Sequence, residues 1–202
     1  MVIHYTQKQK MDELLEKIGS IHSTCHIDGE MVLLKIMKNC KEMLKDRGCV
    51  RIEQTNDILE SMEQNEPVLR GRGGTKIDIY FYNEERVGVK IMRSILEENT
   101  VDKIIILSLD GPTTFTRKEA EGLPVQFFFF KDLFINITKH EIVPKHELCT
   151  ETLPWGNSEL PKIFSSDPII QYYDFPVGSI LKISRTVGAH EPCIYYRLIC
   201  SA

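Results

Sequence analysis

From Glu30 to Arg47 apolar residues fall at Leu33, Met37, Cys40 and Leu44, flanked by Leu34, Ile36 and Met43. That stripe predicts an amphipathic helix, stopped by Gly48. Upstream, Met11 to Ser20 predicts a shorter helix, and Ile21 to Gly29, with its His, Ser, Thr and Gly, reads as a connector. Downstream, Asn56 to Glu63 predicts a short helix. Arg70-Gly71-Arg72-Gly73-Gly74-Thr75-Lys76 reads as a glycine-loosened loop.

A regular alternation follows. Ile77 to Tyr82 predicts a strand, Val87 to Val89 a second, Ile91 to Glu98 a helix and Lys103 to Leu109 a strand apolar on both faces. A strand of that last kind sits mid-sheet under helices, so the region reads as α/β. Thr116 to Glu121 predicts a short helix. Val125 to Phe130 predicts another apolar strand, whose four phenylalanines, Phe127 to Phe130, suit a core better than a solvated surface.

The predicted boundary lies near Asn136, giving an extension over 1–29, a domain over 30–135 and a second over 136–202. A linker carrying Pro154, Trp155 and Gly156 follows Thr152. Asp167 reads as a helix N-cap with Pro168 at the first helical position, where its missing N–H costs nothing. The helix Pro168 to Tyr173 ends before Pro176. Ser179 to Ser184 and Ile194 to Ile199 then predict two strands joined by 185–193. The second places Ile194, Tyr196, Leu198 and Cys200 on one face and Tyr195, Arg197 and Ile199 on the other. This is an α+β pattern.

A chain of 202 residues with 42% hydrophobic content can build packed cores. Its polar N-terminus has no apolar leader pattern, and no run approaches the roughly 20 apolar residues that span a bilayer. A soluble, non-secreted protein without membrane partners is expected. Six cysteines, at 25, 40, 49, 149, 193 and 200, show no CxxC spacing and read as reduced thiols. In that compartment the sequon at Asn136 goes unused, and Asn136 reads as a structural residue near a strand end. With 25 basic against 29 acidic residues the net charge is −4, so any DNA contact must be local.

Little points to catalysis. His140, Glu141 and His146 lack the one-turn spacing of a zinc-binding helix, and Pro144 lies between the histidines. His22, Cys25 and His26 lack further ligands nearby. The glycines at 71, 73 and 74 fit no phosphate loop. Asp78 on a strand, followed by a strand ending at Lys90, has the outline of a metal-dependent nuclease, but Gly88 stands where the second acid belongs. No catalytic residue, metal or cofactor is therefore assigned.

Toward the C-terminus run Ile137-Thr138-Lys139-His140-Glu141-Ile142-Val143-Pro144-Lys145-His146, then Leu160-Pro161-Lys162-Ile163, Asp167-Pro168, Tyr172-Tyr173 and Tyr196-Arg197. In this order they resemble the assembly domain of the fifth-largest subunit shared by nuclear RNA polymerases, a domain with a counterpart in the archaeal enzyme. Met43 to Val50 is similar to that family's start signature, and Val87-Gly88-Val89-Lys90 to a segment of its jaw domain. The resemblance runs from about Glu30 to the C-terminus.

It implies an α/β N-terminal jaw domain, a nuclease-like mixed sheet with helices, and a small α+β C-terminal assembly domain. It implies a non-catalytic subunit of a DNA-directed RNA polymerase, docked on the largest subunit through Lys145, His146, Leu160, Pro161, Asp167, Pro168, Tyr173, Tyr196 and Arg197. Of these, Leu160 and Tyr196 are equally explained as core and Asp167 as a cap. Arg70, Arg72 and Lys76, and Arg117 with Lys118 beyond the loop that starts at Gly111, are the expected DNA-proximal residues, making weak phosphate contacts.

The segment between His146 and Leu160 is shorter than in cellular members, the jaw is abbreviated between Gly48 and Ile77, and 186–191 departs from the family run. Such trimming fits a divergent member, with a large DNA virus among the sources. The expected location is the nucleus for a cellular protein, and a cytoplasmic viral factory or the virion for a viral one. A free-standing nuclease-derived DNA-binding factor or degenerate nuclease is the alternative, and an off-polymerase adaptor a third reading.

Overall fold

The computed structural model describes residues 12–19, 29–82, 86–151, 153–154, 159–186 and 193–201. The chain divides into two compact units, Met1–Ile135 and Asn136–Ala202. The predicted connector over 21–29 except Gly29, most of the 154–156 linker and the loop over 187–192 lie outside the described residues.

In the first unit, helix α1 (12–19) buries Leu14 and Ile18 completely, one turn apart. Helix α2 (Gly29–Asp46) buries Leu33, Ile36, Met37, Cys40, Met43 and Leu44, the stripe expected from the spacing. It stops where Gly48 takes φ +89°, a left-handed conformation that glycine adopts without strain. Helix α3 (Ile58–Glu63) is capped by Asp57, whose carboxylate accepts from the Glu60 N–H.

Five strands form one mixed sheet in the order β1 (Cys49–Gln54), β2 (Leu69–Gly73), β3 (Ile77–Tyr82), β4 (Lys103–Ser108), β5 (Val125–Phe129). The first three pair antiparallel and the last three parallel. Parallel neighbours need crossovers, supplied by α4 (Val89–Glu98) and α5 (Thr114–Glu119). One face, with Tyr80, Tyr82, Ile104 and Ile106, packs on Val87 and Ile95 of the α4 segment. On the other face Phe81 meets Phe130 edge to face at 5.2 Å. Asn39 ties α2 to the chain after β5, donating to the carbonyls of Leu133 and Phe134.

Two expectations for this unit are corrected. Residues 69–73 are strand β2, not part of a loop; only the chain from Gly74 to Lys76 turns. Glycine here serves close packing: a Cβ on Gly71 would lie 2.6 Å from the Cys49 sulfur and 3.1 Å from Leu44. The second correction concerns 87–89. Val87 makes one isolated bridge to Pro112, Gly88 is an N-cap, and Val89 already begins α4, so no strand leads to Lys90. Three apolar-compatible residues are too few to separate a strand from a helix start by pattern.

Asp78 is the charged residue within β3, and it is buried. Strand register puts Arg70 directly opposite, yet Arg72, the diagonal neighbour, takes the carboxylate by donating from both terminal guanidinium nitrogens, Nη2 at 3.2 Å. The Asp78 side chain is 3% exposed and that of Arg72 31%, so the pair is largely withdrawn from water.

The second unit has a four-stranded sheet, β6 (Lys145–Leu148), β8 (Ile180–Arg185), β9 (Cys193–Cys200) and β7 (Lys162–Phe164), in that spatial order. Its core joins Ile170 of helix α6 (Pro168–Tyr173) to Leu181, Ile183 and Ile199. Asp167 and Pro168 open α6 as expected, and Asp174 closes it in the left-handed conformation, φ 56°. Asn136 is structural but caps a 3-10 turn (Ile137–Lys139) rather than a strand end, accepting from Thr138.

Replacing Arg72 by Ala strands the Asp78 carboxylate in the sheet. The expected loss is about 3 kcal/mol of unfolding free energy, read from denaturant midpoints, against less than about 0.5 kcal/mol for Lys90→Ala on the exposed face of α4. Equal midpoints for the two variants would refute the assignment.

Candidate partner-docking site

Strand β9 is paired unequally along its two edges. Against β8 it is paired from Cys193 to Leu198, but against β7 only from Leu198 to Cys200. The Leu198 N–H donates to the Pro161 carbonyl at 2.9 Å, and before that point the chain at Glu159 to Pro161 diverges from β9. Among the described residues no strand pairs with that edge of residues 193–197. The divergence opens a groove of about 490 Å³, walled by Glu159, Leu160 and Pro161 on one side and Ile194 to Arg197 on the other. Ile194 and Tyr195 are 47% and 55% exposed, large apolar area for a strand beside a groove.

Register with β8 fixes the faces. Arg197 lies opposite Leu181, and His146 of β6 opposite Ile183, so both are on the α6 side. Tyr196 lies opposite Lys182 on the other face, with Lys162 and Phe164 of β7. Tyr196 and Arg197 thus point to opposite faces, and the groove at the strand edge is reached by both. The Arg197 guanidinium also donates to the Lys162 carbonyl at 3.3 Å.

His146 sits half-buried within electrostatic reach of Asp167 and Arg197. Burial lowers its pKa from the ordinary 6.5, the hydrogen bond with the Pro144 backbone and the Asp167 charge oppose that, and Arg197 adds to it. Asp167 is committed locally, its carboxylate accepting from the Ile169 N–H at 2.9 Å.

Of the nine expected interface residues, the structure brings Leu160, Pro161, Tyr196 and Arg197 to the groove. His146 and Asp167 stand close to Arg197. Lys145 is exposed on β6 and pairs with Glu147 at 2.7 Å. Pro168 is exposed at the helix start. Tyr173 stacks on Phe175 with centroids 4.9 Å apart and meets Tyr172 edge to face, a packing role. Glu159, Ile194 and Tyr195 also wall the groove, and no motif marks them in the sequence. Their signal is two large apolar residues in succession on a strand where alternation predicts one.

The expected DNA-proximal residues scatter within the first unit. Arg70 is exposed on β2 and Lys76 exposed in the turn after it. Arg72 pairs with the Asp78 carboxylate, its side chain 31% exposed. Arg117 and Lys118 are exposed in the last turn of α5, where basic residues also complement the helix dipole. The loop before them is built: Thr113 caps α5 through Thr116, and Thr116 donates to the Val87 carbonyl at 3.0 Å.

The nuclease outline is not realised. Asp78 is spoken for by Arg72, and Lys90 is exposed on α4 rather than at a strand end. Among the described residues no cluster of three or more His, Cys, Asp or Glu could hold a metal, and no helix is long and apolar enough to cross a membrane. Cys40 is buried, which pushes its thiol up to about 12 and leaves it protonated.

Residues 135–199 match the family model for the RNA polymerase Rpb5 C-terminal domain, covering nearly the whole second unit. The second unit is thus similar to the C-terminal domain of the RNA polymerase subunit Rpb5. The chain is 24% identical over 194 residues to subunit RPABC1 of DNA-directed RNA polymerases I, II and III from Caenorhabditis briggsae, covering 89% of this chain and 90% of that one. The same subunit from Dictyostelium discoideum is 25% identical over 195 residues, 82% of this chain and 96% of that protein. Subunit 5A of DNA-directed RNA polymerase V from Arabidopsis thaliana is 26% identical over 138 residues, 61% and 62% of the two chains. The groove therefore lies inside the matched span, which contains Leu160, Pro161, Tyr196 and Arg197.

Because the His146 pKa is lower folded than unfolded, the unfolded chain takes up its proton first on acidification. Its contribution to stability is full above pH 6.5 and is lost as pH falls through the window just below. Unfolding midpoints measured from pH 7.5 to 5.5 should drop more steeply for the natural chain than for His146→Gln; parallel slopes would contradict this.

Asp167→Ala removes the α6 cap. A loss of about 1 kcal/mol is expected, mostly recovered by Asp167→Asn, with both read by chemical denaturation.

Proposed function

We propose that this protein is a non-catalytic subunit of a multisubunit DNA-directed RNA polymerase. Its C-terminal unit docks on the largest subunit through the groove beside β9, and its N-terminal unit serves as a jaw beside downstream DNA. The observation that carries the reading is the match over 135–199 together with the groove inside it, where four of the expected contact residues converge on an incompletely paired strand edge. An exposed pair of large apolar residues, a half-buried tyrosine and an arginine on one edge have the composition of an interface centre. The partner's backbone would supply the hydrogen bonds that the edge lacks.

Arg117 and Lys118 on α5, with Arg70 and Lys76, supply the DNA-facing charge. With a chain at net −4 these contacts are weak, and the other subunits provide most of the positive potential. The chain brings no cofactor and no catalytic residue to the assembly. A cellular version works in the nucleus.

The test is a pull-down of the tagged chain from its native source with quantification of what accompanies it. The two large polymerase subunits should come at stoichiometric level and be lost, by tenfold or more, on replacing Tyr196 and Arg197 together by Ala. Circular dichroism of the variant establishes that the fold survives. A natural chain recovered without polymerase subunits would overturn the assignment. Retention by a folded double variant would overturn the groove as the docking face.

A further inference from the structure

A second groove, on the first unit, has a chemistry that neither the docking groove nor the DNA-facing charge shares. It runs beside α2, encloses about 320 Å³, and is floored by Leu33, Met37 and Ile58, with Gln54 of β1 at its far wall. Its rim is a row on the outer side of α2, Leu34, Lys38, Lys41 and Lys45, at successive spacings of four, three and four. Those spacings hold the side chains on one face, and the three lysines span about 10 Å of helix. Leu34 is 69% exposed, and Met31, one turn before it, 64%. The row is thus apolar at one end and cationic at the other.

None of the three lysines has an ion pair among the described residues, and the rim carries one acid, Glu42. Such a concentration of positive charge runs against a chain whose net charge is −4. Solvent alone accounts for free lysines but not for Leu34 and Met31 exposed beside them and the partly exposed Ile58 across the groove. A phosphate backbone would use the lysines, be repelled by Glu42, and leave the floor unused. The chain's own residues 1–11 carry Lys8 and Lys10 and no acid, so they do not complement the rim.

We propose that the α2 groove receives an acidic amphipathic segment of a partner protein. Its apolar side chains pack on Leu34 and Ile58, above the nearly buried Leu33 and Met37, and its carboxylates meet Lys38, Lys41 and Lys45. An amphipathic helix laid in a groove presents anchors at three- and four-residue spacing, which matches the row. Charge complementarity sets partner choice and makes the contact sensitive to salt. This proposal does not depend on the polymerase reading.

The probe is a fluorescein-labelled 15-residue peptide with leucines on one helical face and glutamates on the other, titrated with the full chain and followed by anisotropy. A second peptide has the leucines replaced by serine, and a third probe is a 20-base-pair DNA duplex. The leucine peptide should bind at least tenfold more tightly than the serine peptide, and more weakly at 300 mM than at 50 mM salt. The Lys38→Glu, Lys41→Glu double variant should lose tenfold or more, and Leu34→Ser severalfold, while Lys90→Glu, which removes the same type of charge from α4, should leave binding unchanged. If the glutamate variant fails to fold by circular dichroism, Lys38→Gln with Lys41→Gln carries the test, with a smaller loss expected. Equal binding of the two peptides reduces the groove to a charge patch and overturns the proposal. Tighter binding of DNA, lost in the same lysine variants, assigns the face to nucleic acid and overturns it as well, as does the absence of binding to every probe.

Discussion

Strands β3 and β4 have almost no solvent face, and the first unit is arranged around that constraint. All six residues of β3 and five of six in β4 are buried, so both sides of the sheet must be covered. The crossovers through α4 and α5 cover one side, and the α2 segment and the chain after β5 close on the other. The Arg93–Glu119 ion pair links the two crossover helices. A carboxylate inside such a strand cannot be left alone, because a buried unpaired charge costs several kcal/mol, on the order of the stability of a whole domain. The guanidinium of Arg72 is therefore structural. One pairing explains why Asp78 is tolerated in the middle of β3.

The elements legible in the sequence were those with an unambiguous period or a cap. The α2 stripe, the apolar runs of β3, β4 and β5, and the Asp167-Pro168 opening of α6 stand close to where the pattern put them. What escaped notice were strands whose residues do not look like strand residues. β2 is Leu-Arg-Gly-Arg-Gly, and its glycines reflect the proximity of Cys49 and Leu44, a tertiary demand invisible to local propensity. β6 reads Lys-His-Glu-Leu and has a mostly polar, exposed surface. β7 has three residues, too short to show alternation.

The candidate docking site was partly legible for the same reason. Motif residues such as Leu160, Pro161, Tyr196 and Arg197 are far apart in the chain, and only the parallel pairing of β7 with β9 brings them together. Successive residues on a strand point to opposite faces, so a Tyr-Arg pair read as one patch becomes two, joined around an edge. Tyr173 stacks on Phe175 within the unit. Glu159, Ile194 and Tyr195 wall the groove without belonging to a motif, and it is the tertiary pairing of β9, which among the described residues has no neighbouring strand there, that reveals them.

An incompletely paired strand flanked by Ile194 and Tyr195 does not discriminate by itself between a proper partner and a second copy of the same chain; backbone donors and acceptors are alike in every protein. A chain carrying such an edge is at ease only when the edge is occupied. If the proposed docking holds, copies made in excess of their partner would be left with that edge uncovered and inclined to self-associate. Under that docking the geometry of β9 sets a demand on supply: synthesis of this protein would have to be matched to synthesis of whatever covers it.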